Sequence, residues 1–328
     1  MIQEFWKGKR VFVTGATGLL GSQMTRRLLE LGAEVTILLR DQVSTSPLVQ
    51  SPQFSRINIV RGELQSFETL QRLLNEYEIE YVFHLGAQTQ VTHANRQPFA
   101  TFESNIRGSY NLLEACRLHP AIKGVLVASS DKAYGTQPEL PYTEEAPLAG
   151  RHPYDVSKSC TDLIAQTYAH SYKVPVCVLR CGNLYGPGDL NFARIIPAAI
   201  RAGHEQSVLD IRSDGTFIRD YLYVEDAVDG YLAAAERLHR DDVKGQAFNL
   251  GTQNRLSVLD VAKAVGKVFG KPLATNIQNI ATNEIRDQYL TSEKAGRVLG
   301  WRAKHTIEQG LAKTVPAYRS FFTTRRWE

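Results

Sequence analysis

Branched apolar residues recur along the chain in short runs separated by stretches with helical spacing. Arg10–Thr14, Glu34–Leu39, Ile57–Val60, Glu80–Leu85, Gly124–Ser129 and Pro175–Arg180 are rich in Val, Ile and Leu and predict strands. Between them, amphipathic segments at about 19–31, 66–77, 98–119 and 154–172 predict helices. Strands apolar on both faces and joined by helices make a parallel, doubly wound α/β sheet. After Gly186-Pro187-Gly188 the alternation stops. Loops rich in arginine and aromatic residues are expected over about 187–223, helices near 224–239 and 257–269, and Ala247–Gly251 returns a strand to the sheet. The expected division is a sheet domain of residues 1–182, with returning segments at about 224–256, and a smaller mixed α/β lobe of about 183–223 and 257–328.

Composition narrows the function classes. The chain has 328 residues, 43 % of them apolar, which is ordinary for a globular protein. No apolar run approaches the roughly 18 residues that span a bilayer, and the opening residues lead towards a strand with no secretory core, so a cytoplasmic location without membrane attachment is expected. A formal charge of +4 without a basic block argues for anion handling at individual arginines and against a nucleic-acid surface. Cys116, Cys160, Cys177 and Cys181 are scattered in apolar contexts, which favours buried thiols over a metal site or disulfide frame.

The first chemical motif is Thr14-Gly15-Ala16-Thr17-Gly18-Leu19-Leu20-Gly21, directly after the first strand and opening a helix. Glycines there let the backbone approach a pyrophosphate, which the helix's free N–H groups and positive end then hold. This predicts a Rossmann-type dinucleotide site. The ribose is expected at the end of the second strand, where Arg40 favours the 2′-phosphate of NADP and the adjacent Asp41 keeps NAD open. Glu63 lies where a carboxylate reaches the adenine amine, with Leu64 beside it, and Leu85 and Ala87 line the nucleotide's path.

Two further stretches carry the reaction chemistry. Ser130-Asp131-Lys132 follows the fifth apolar run, and Tyr154 and Lys158, four apart, share one face of a helix that Pro153 starts. A lysine ammonium beside a phenol, together with the cofactor's positive charge, favours the phenolate. Ser130 then hydrogen-bonds the substrate oxygen. Serine, tyrosine and lysine suffice for redox work; Asp131 and Lys132 add the acid and base groups needed to move water.

On these motifs the chain resembles the extended short-chain dehydrogenase/reductases, in the NAD(P)-dependent epimerase/dehydratase family that modifies nucleotide sugars. The likeness runs from Gly8 to Trp301, and Asp131-Lys132 after Ser130 is similar to CDP-glucose 4,6-dehydratases. The resemblance implies that Asn183, Arg194, Arg219 and Arg286 grip a nucleotide diphosphate and that Gln88 and Thr89 face the sugar. It also implies a homodimer paired through the helices near 98–119 and 154–172, and a nucleotide-sugar-binding role for the smaller lobe. The implied reaction is an internal redox cycle: Tyr154 takes the C4 hydroxyl proton as hydride passes to the nicotinamide, Asp131 protonates the departing C6 hydroxyl, and the hydride returns to C6. Lys132 stands where other 4,6-dehydratases carry a glutamate; it is either a neutral base for C5 or a cation that steadies the enolate while another group acts as base. A 4-epimerase or reductase, with Asp131 and Lys132 as a structural ion pair, is the alternative, and a non-catalytic nucleotide sensor a third. His84, inside a strand, reads as a packed, hydrogen-bonded side chain.

Overall fold

The structure is a computed structural model that describes residues 2–280 and 285–327. Six strands, β1 (Arg10–Thr14), β2 (Glu34–Leu39), β3 (Asn58–Arg61), β4 (Tyr81–His84), β5 (Gly124–Ser130) and β6 (Val176–Cys181), join a seventh, Ala247–Leu250, in one sheet. The order is Ala247–Leu250, β6, β5, β4, β1, β2, β3, and every pairing is parallel. Side chains alternate between two cores. Val11, Val13, Phe83 and Leu126 pack on one face with the helices Leu19–Glu30 and Val224–Arg237. Phe12, Val82, Val125 and Val127 pack on the other with Phe67–Glu76, Gly108–Leu118 and Pro153–Tyr172. Each fully buried aliphatic side chain contributes about 1.5–3 kcal/mol, so helices on both faces follow from strands with no polar side.

From β1 the chain runs outward to β2 and β3, then crosses back past β1 to β4. This reversal opens a crevice at the strands' carboxyl ends, the usual ligand position in such sheets. Outside the large sheet, Asn183–Tyr185 pairs with Tyr221–Tyr223, Ile218–Arg219 lies between Leu256–Ser257 and Asp287–Gln288, and Leu209–Ile211 pairs with Thr275–Ile277.

The structure differs from the sequence expectations in three places. Residues 187–223 are not all loop: Ile195–Glu205 is a helix, with Ile196, Ala199 and Ile200 buried at helical spacing beneath the arginines and aromatics. The segment 98–119 is broken into Pro98–Phe102, a π-helical turn at Glu103–Arg107, and Gly108–Leu118. A short helix, Ile2–Trp6, precedes β1, and its Trp6 is fully buried against Tyr81 and Phe83. Among the described residues no helix is long and apolar enough to cross a membrane.

Candidate active site

The turn after β1 is built for a close backbone approach. Gly15 adopts φ +69°, and a Cβ there would stand 2.7 Å from Gly86; a Cβ on Gly21 would stand 2.0 Å from the Gly15 carbonyl. Neither position tolerates a side chain. Gly18 caps the helix Leu19–Glu30 with its N–H donated to Gly15 O at 3.0 Å. The helix's unpaired N–H groups and positive end stand at this glycine turn, an arrangement that fits a pyrophosphate.

A cleft of about 660 Å³ runs from this turn across the sheet. Its walls include Gly15, Thr17, Gly18, Leu19, Leu20, Gly21, Arg40, Glu63, Leu64, Leu85 and Ala87 on the dinucleotide side. Gln88, Thr89, Ser130, Lys132, Tyr154, Lys158, Asn183, Arg194 and Arg219 line the rest. Two expected residues are not on these walls. Asp131 is buried behind Ser130, and the Arg286 side chain is exposed, while its carbonyl accepts from Arg219 at 2.8 Å.

Neighbouring buried polar groups hold the cleft in shape. The Thr14 hydroxyl accepts the N–H groups of Leu85 and Gly86 and meets His84 Nδ1 at 2.9 Å. His84 Nε2 meets Ser109 Oγ, whose own proton goes to Asn105 O. The network therefore assigns the ring proton to Nε2. Burial first, and the Lys158 charge second, push the His84 pKa down to about 3, so it is a neutral, packed side chain. Asn105, in the π-helical turn, clamps the Gln88 backbone from both sides: Oδ1 accepts Gln88 N at 2.7 Å and Nδ2 donates to Gln88 O at 3.0 Å. Its Nδ2 also reaches Ser157 at 2.9 Å, tying this turn to the helix that bears Tyr154. Sequence reading missed Asn105; a polar residue inside a helical stretch gave no sign of the bulge around it.

Ser130 Oγ donates to Asp131 Oδ1 at 2.9 Å and accepts Lys132 N at 3.2 Å, and Ser130 and the Tyr154 phenol line the same cleft. Burial pushes the Tyr154 pKa up to about 12, against the lowering influence of Arg194. These residues by themselves therefore keep the phenol neutral. Lys158 donates to Ala128 O at 2.8 Å, and burial pushes its pKa down to about 8. Lys132 Nζ donates to Gln288 Oε1 at 3.2 Å, a link between the turn after β5 and the small sheet. Asp131 is 1 % exposed, with its carboxyl pKa raised by burial against Lys132, Ser130 and Arg219. Its Oδ2 is buried without a hydrogen-bond partner. Ser129, also on the wall, has a buried Oγ without a partner.

A second cavity of about 630 Å³ adjoins the cleft and shares Asn183, Arg194, Arg212 and Arg219 with it. Arg194 pairs with Asp189 at 3.2 Å, while Arg219 is held by Ile218 O and Arg286 O with Phe217 beneath it. Arg212 was not foreseen; it enters because Leu209–Ile211 ends at the cavity rim. Guanidinium forks at one junction suit a pyrophosphate. At the far end of the cleft, Arg40 Nε bonds Asp41 Oδ2 at 2.6 Å, with both side chains exposed. Cys116, Cys177 and Cys181 are buried and Cys160 is half-buried, all of them free.

Residues 11–251 match the model of the NAD dependent epimerase/dehydratase family. The chain belongs to that family. It is 30 % identical over 324 residues to a trifunctional UDP-glucose 4,6-dehydratase/UDP-4-keto-6-deoxy-D-glucose 3,5-epimerase/UDP-4-keto-L-rhamnose-reductase of Arabidopsis thaliana. The match takes in 95 % of this chain and 47 % of the plant protein, so the chain spans about half of that relative's length. It is 29 % identical to the CDP-glucose 4,6-dehydratase of Salmonella typhimurium, over 97 % of this chain and 93 % of that protein. The structure of an epimerase from Methanothermobacter thermautotrophicus superposes with a TM-score of 0.90 at 27 % identity, covering 98 % of this chain and 95 % of that one.

Proposed function

We propose that the protein is a nucleotide-sugar 4,6-dehydratase that converts an NDP-hexose to the NDP-4-keto-6-deoxyhexose. The observation that carries this reading is Asp131: a buried carboxyl with one unpartnered oxygen, bonded to Ser130 in the heart of the redox residues. An unpaired buried carboxylate oxygen is costly, and a protonated one much less so. Asp131 thus suits the acid that gives a proton to the departing C6 hydroxyl. Two of the relatives above are named 4,6-dehydratases, which supports the same reading.

In this reading the dinucleotide lies on the large sheet, residues 1–182 with about 224–256. The sugar nucleotide lies against about 183–223 and 257–328. Asn183, Arg194 and Arg219 hold the diphosphate, with Arg286 fixing Arg219 through its carbonyl, and Gln88 and Thr89 face the sugar. Ser130 and Tyr154 share the C4 hydroxyl, and Tyr154 accepts its proton. Lys158 positions the phenol and the nicotinamide ribose. The bound nicotinamide supplies reversible redox chemistry at the sugar. The family is NAD-dependent, and Arg40 at the end of β2 supports acceptance of NADP as well. We also assign the protein to the cytoplasm and to a homodimer.

A 4-epimerase is the second reading, favoured by Asp131 lying behind the cleft wall rather than on it. Incubation with CDP-, UDP-, GDP- and dTDP-hexoses and mass spectrometry of the products separates the two. A product lighter by one water establishes the dehydratase; unchanged mass with altered stereochemistry establishes the epimerase.

A further inference from the structure

We infer that Asp155 is the base that removes the sugar's C5 proton, supplying from the long helix the second carboxylate that Lys132 replaces beside Asp131. This rests on the dehydratase reading and names a residue that reading does not use.

Elimination of water across C5–C6 needs two proton carriers. Asp131 accounts for one, and the residue after it is a lysine. Asp155 lies in the first turn of Pro153–Tyr172, next to Tyr154, and lines the same cleft as Ser130 and Lys132 while being only 5 % exposed. Tyr154 and Lys158 share one stripe of that helix, and Asp155 is turned about 100° away from it. Besides burial, the charges that act on its carboxyl are Lys132 and His152, which lower it, and Asp131, which raises it. The Lys132 charge thus acts on both carboxyls, lowering each against its burial, and Lys132 Nζ is itself bonded to Gln288 Oε1.

The two carboxylates sit in unlike surroundings. Asp131 is wholly enclosed, with an orphaned oxygen that a proton would satisfy. Asp155 borders the open cleft at the positive end of a 20-residue helix, which favours its anion. Burial raises its carboxyl above the ordinary range, making it a stronger base than a free aspartate. An enclosed carboxyl beside one that meets the cleft and a helix's positive end can divide the acid and base roles.

The step balances as follows. The C5–H proton passes to Asp155, the C5–H electron pair becomes the C5–C6 π bond, and the C6–O bond breaks. The leaving hydroxyl takes the Asp131 proton and departs as water. Lys132, on the cleft wall, offsets the negative charge on the sugar's 4-keto oxygen. Once hydride is returned to C6, Asp155 gives a proton back to C5; because its carboxyl borders the open cleft and exchanges with solvent, in heavy water the product carries deuterium at C5.

The experiment compares the parent, Asp155→Asn, Asp155→Glu and Lys132→Met in heavy water, reading C5 deuterium by NMR and C4 oxidation by near-ultraviolet absorbance. Asp155→Asn is expected to lower C5 labelling about 100-fold, the scale for loss of a positioned base, with C4 oxidation retained. Asp155→Glu restores part of the labelling and moves the acidic limb of its pH profile; a residue that merely packs would do neither. The groups facing Asp155 that can move this limb are Lys132, His152 and Asp131. Labelling at the parental rate in Asp155→Asn overturns the inference, as does labelling abolished in Lys132→Met alone. A parent that releases no dehydrated product fails the dehydratase reading and this inference with it; a dehydrating parent beside an unimpaired Asp155→Asn overturns the inference only.

Discussion

Arg180 of β6 and Asp162 of the helix Pro153–Tyr172 meet through two hydrogen bonds, Nε to Oδ2 at 2.8 Å and Nη2 to Oδ1 at 3.0 Å, with both side chains buried. Arg180 also donates to the Tyr134 hydroxyl at 2.8 Å, and Tyr134 in turn donates to Asn249. The pair therefore ties the helix that presents Tyr154, Asp155 and Lys158 to the sheet and to the turn after Ser130. Removing one partner leaves a buried charge uncompensated, so Asp162→Ala should destabilise the fold by about 3–5 kcal/mol. Denaturant unfolding measures this; a loss below about 1 kcal/mol would show that the pair holds nothing.

Lys158 should make stability depend on pH. Its folded pKa, about 8, lies below the ordinary lysine value of 10.5. Between these values the unfolded chain keeps a proton that the folded chain has shed, so stability rises with pH across this window and is lost as pH falls through about 8. Lys158→Met removes the buried charge and should be inactive yet more stable than the parent at pH 7, by about 2 kcal/mol once the lost hydrogen bond to Ala128 is counted. The gap should close as pH approaches 10.5. Thermal melts of both proteins across this range test it, and a parent that stays the more stable at pH 7 contradicts it.

Much of this site was legible because its demands are local. Gly15 and Gly21 announce the turn since no Cβ fits there, and the branched runs of β1 and β2 mark those strands to the residue. Tyr154 and Lys158 share a face by helix geometry alone. What escaped depends on residues distant in sequence. The Asn105 clamp on Gln88 exists only because a π-helical turn bends that helix, and Arg180 finds Asp162 only when β6 lies beside the helix preceding it. Ile195–Glu205 was hidden because arginines and aromatics at the cavity rim masked the spacing of Ile196, Ala199 and Ile200. The environment of Asp155 likewise arises only when the turn after β5 meets the helix.

Arg40 and Asp41, the pair proposed to set cofactor choice, are bonded to each other at the end of β2. If Arg40 reads a 2′-phosphate, Arg40→Ala should weaken NADP by about 1.5–3 kcal/mol more than NAD, the worth of a charged hydrogen bond. Titration of both cofactors measures the difference. Equal effects would return the preference to Asp41 and NAD.

Tyr110, Leu118, Leu163 and Tyr172 are exposed on the helices Gly108–Leu118 and Pro153–Tyr172, with Phe99 exposed on the neighbouring Pro98–Phe102. Large apolar side chains gathered on adjacent helices are the mark of a surface that pairs. The protein should have a dimeric mass by light scattering at micromolar concentration, and Leu163→Glu should shift it towards monomer with the fold intact. A monomeric parent would contradict the expectation.

On the proposed dehydratase reading, Asp131 separates loss of water from the redox step. In the proposed reaction, hydroxyl oxidation at C4 uses Ser130, Tyr154 and Lys158, none of which needs the Asp131 proton. Asp131→Asn preserves the shape and the bond to Ser130 but cannot give up a proton to a leaving hydroxyl. Dehydration should fall by about 100-fold or more, the scale for losing a positioned general acid, while C4 oxidation proceeds and near-ultraviolet absorbance accumulates on the enzyme. The Tyr154→Phe variant should show neither product nor absorbance, because the C4 proton then has no acceptor. If Asp131→Asn releases dehydrated product at the parental rate, the buried carboxyl plays no part in expelling water, and its unpartnered oxygen requires another explanation.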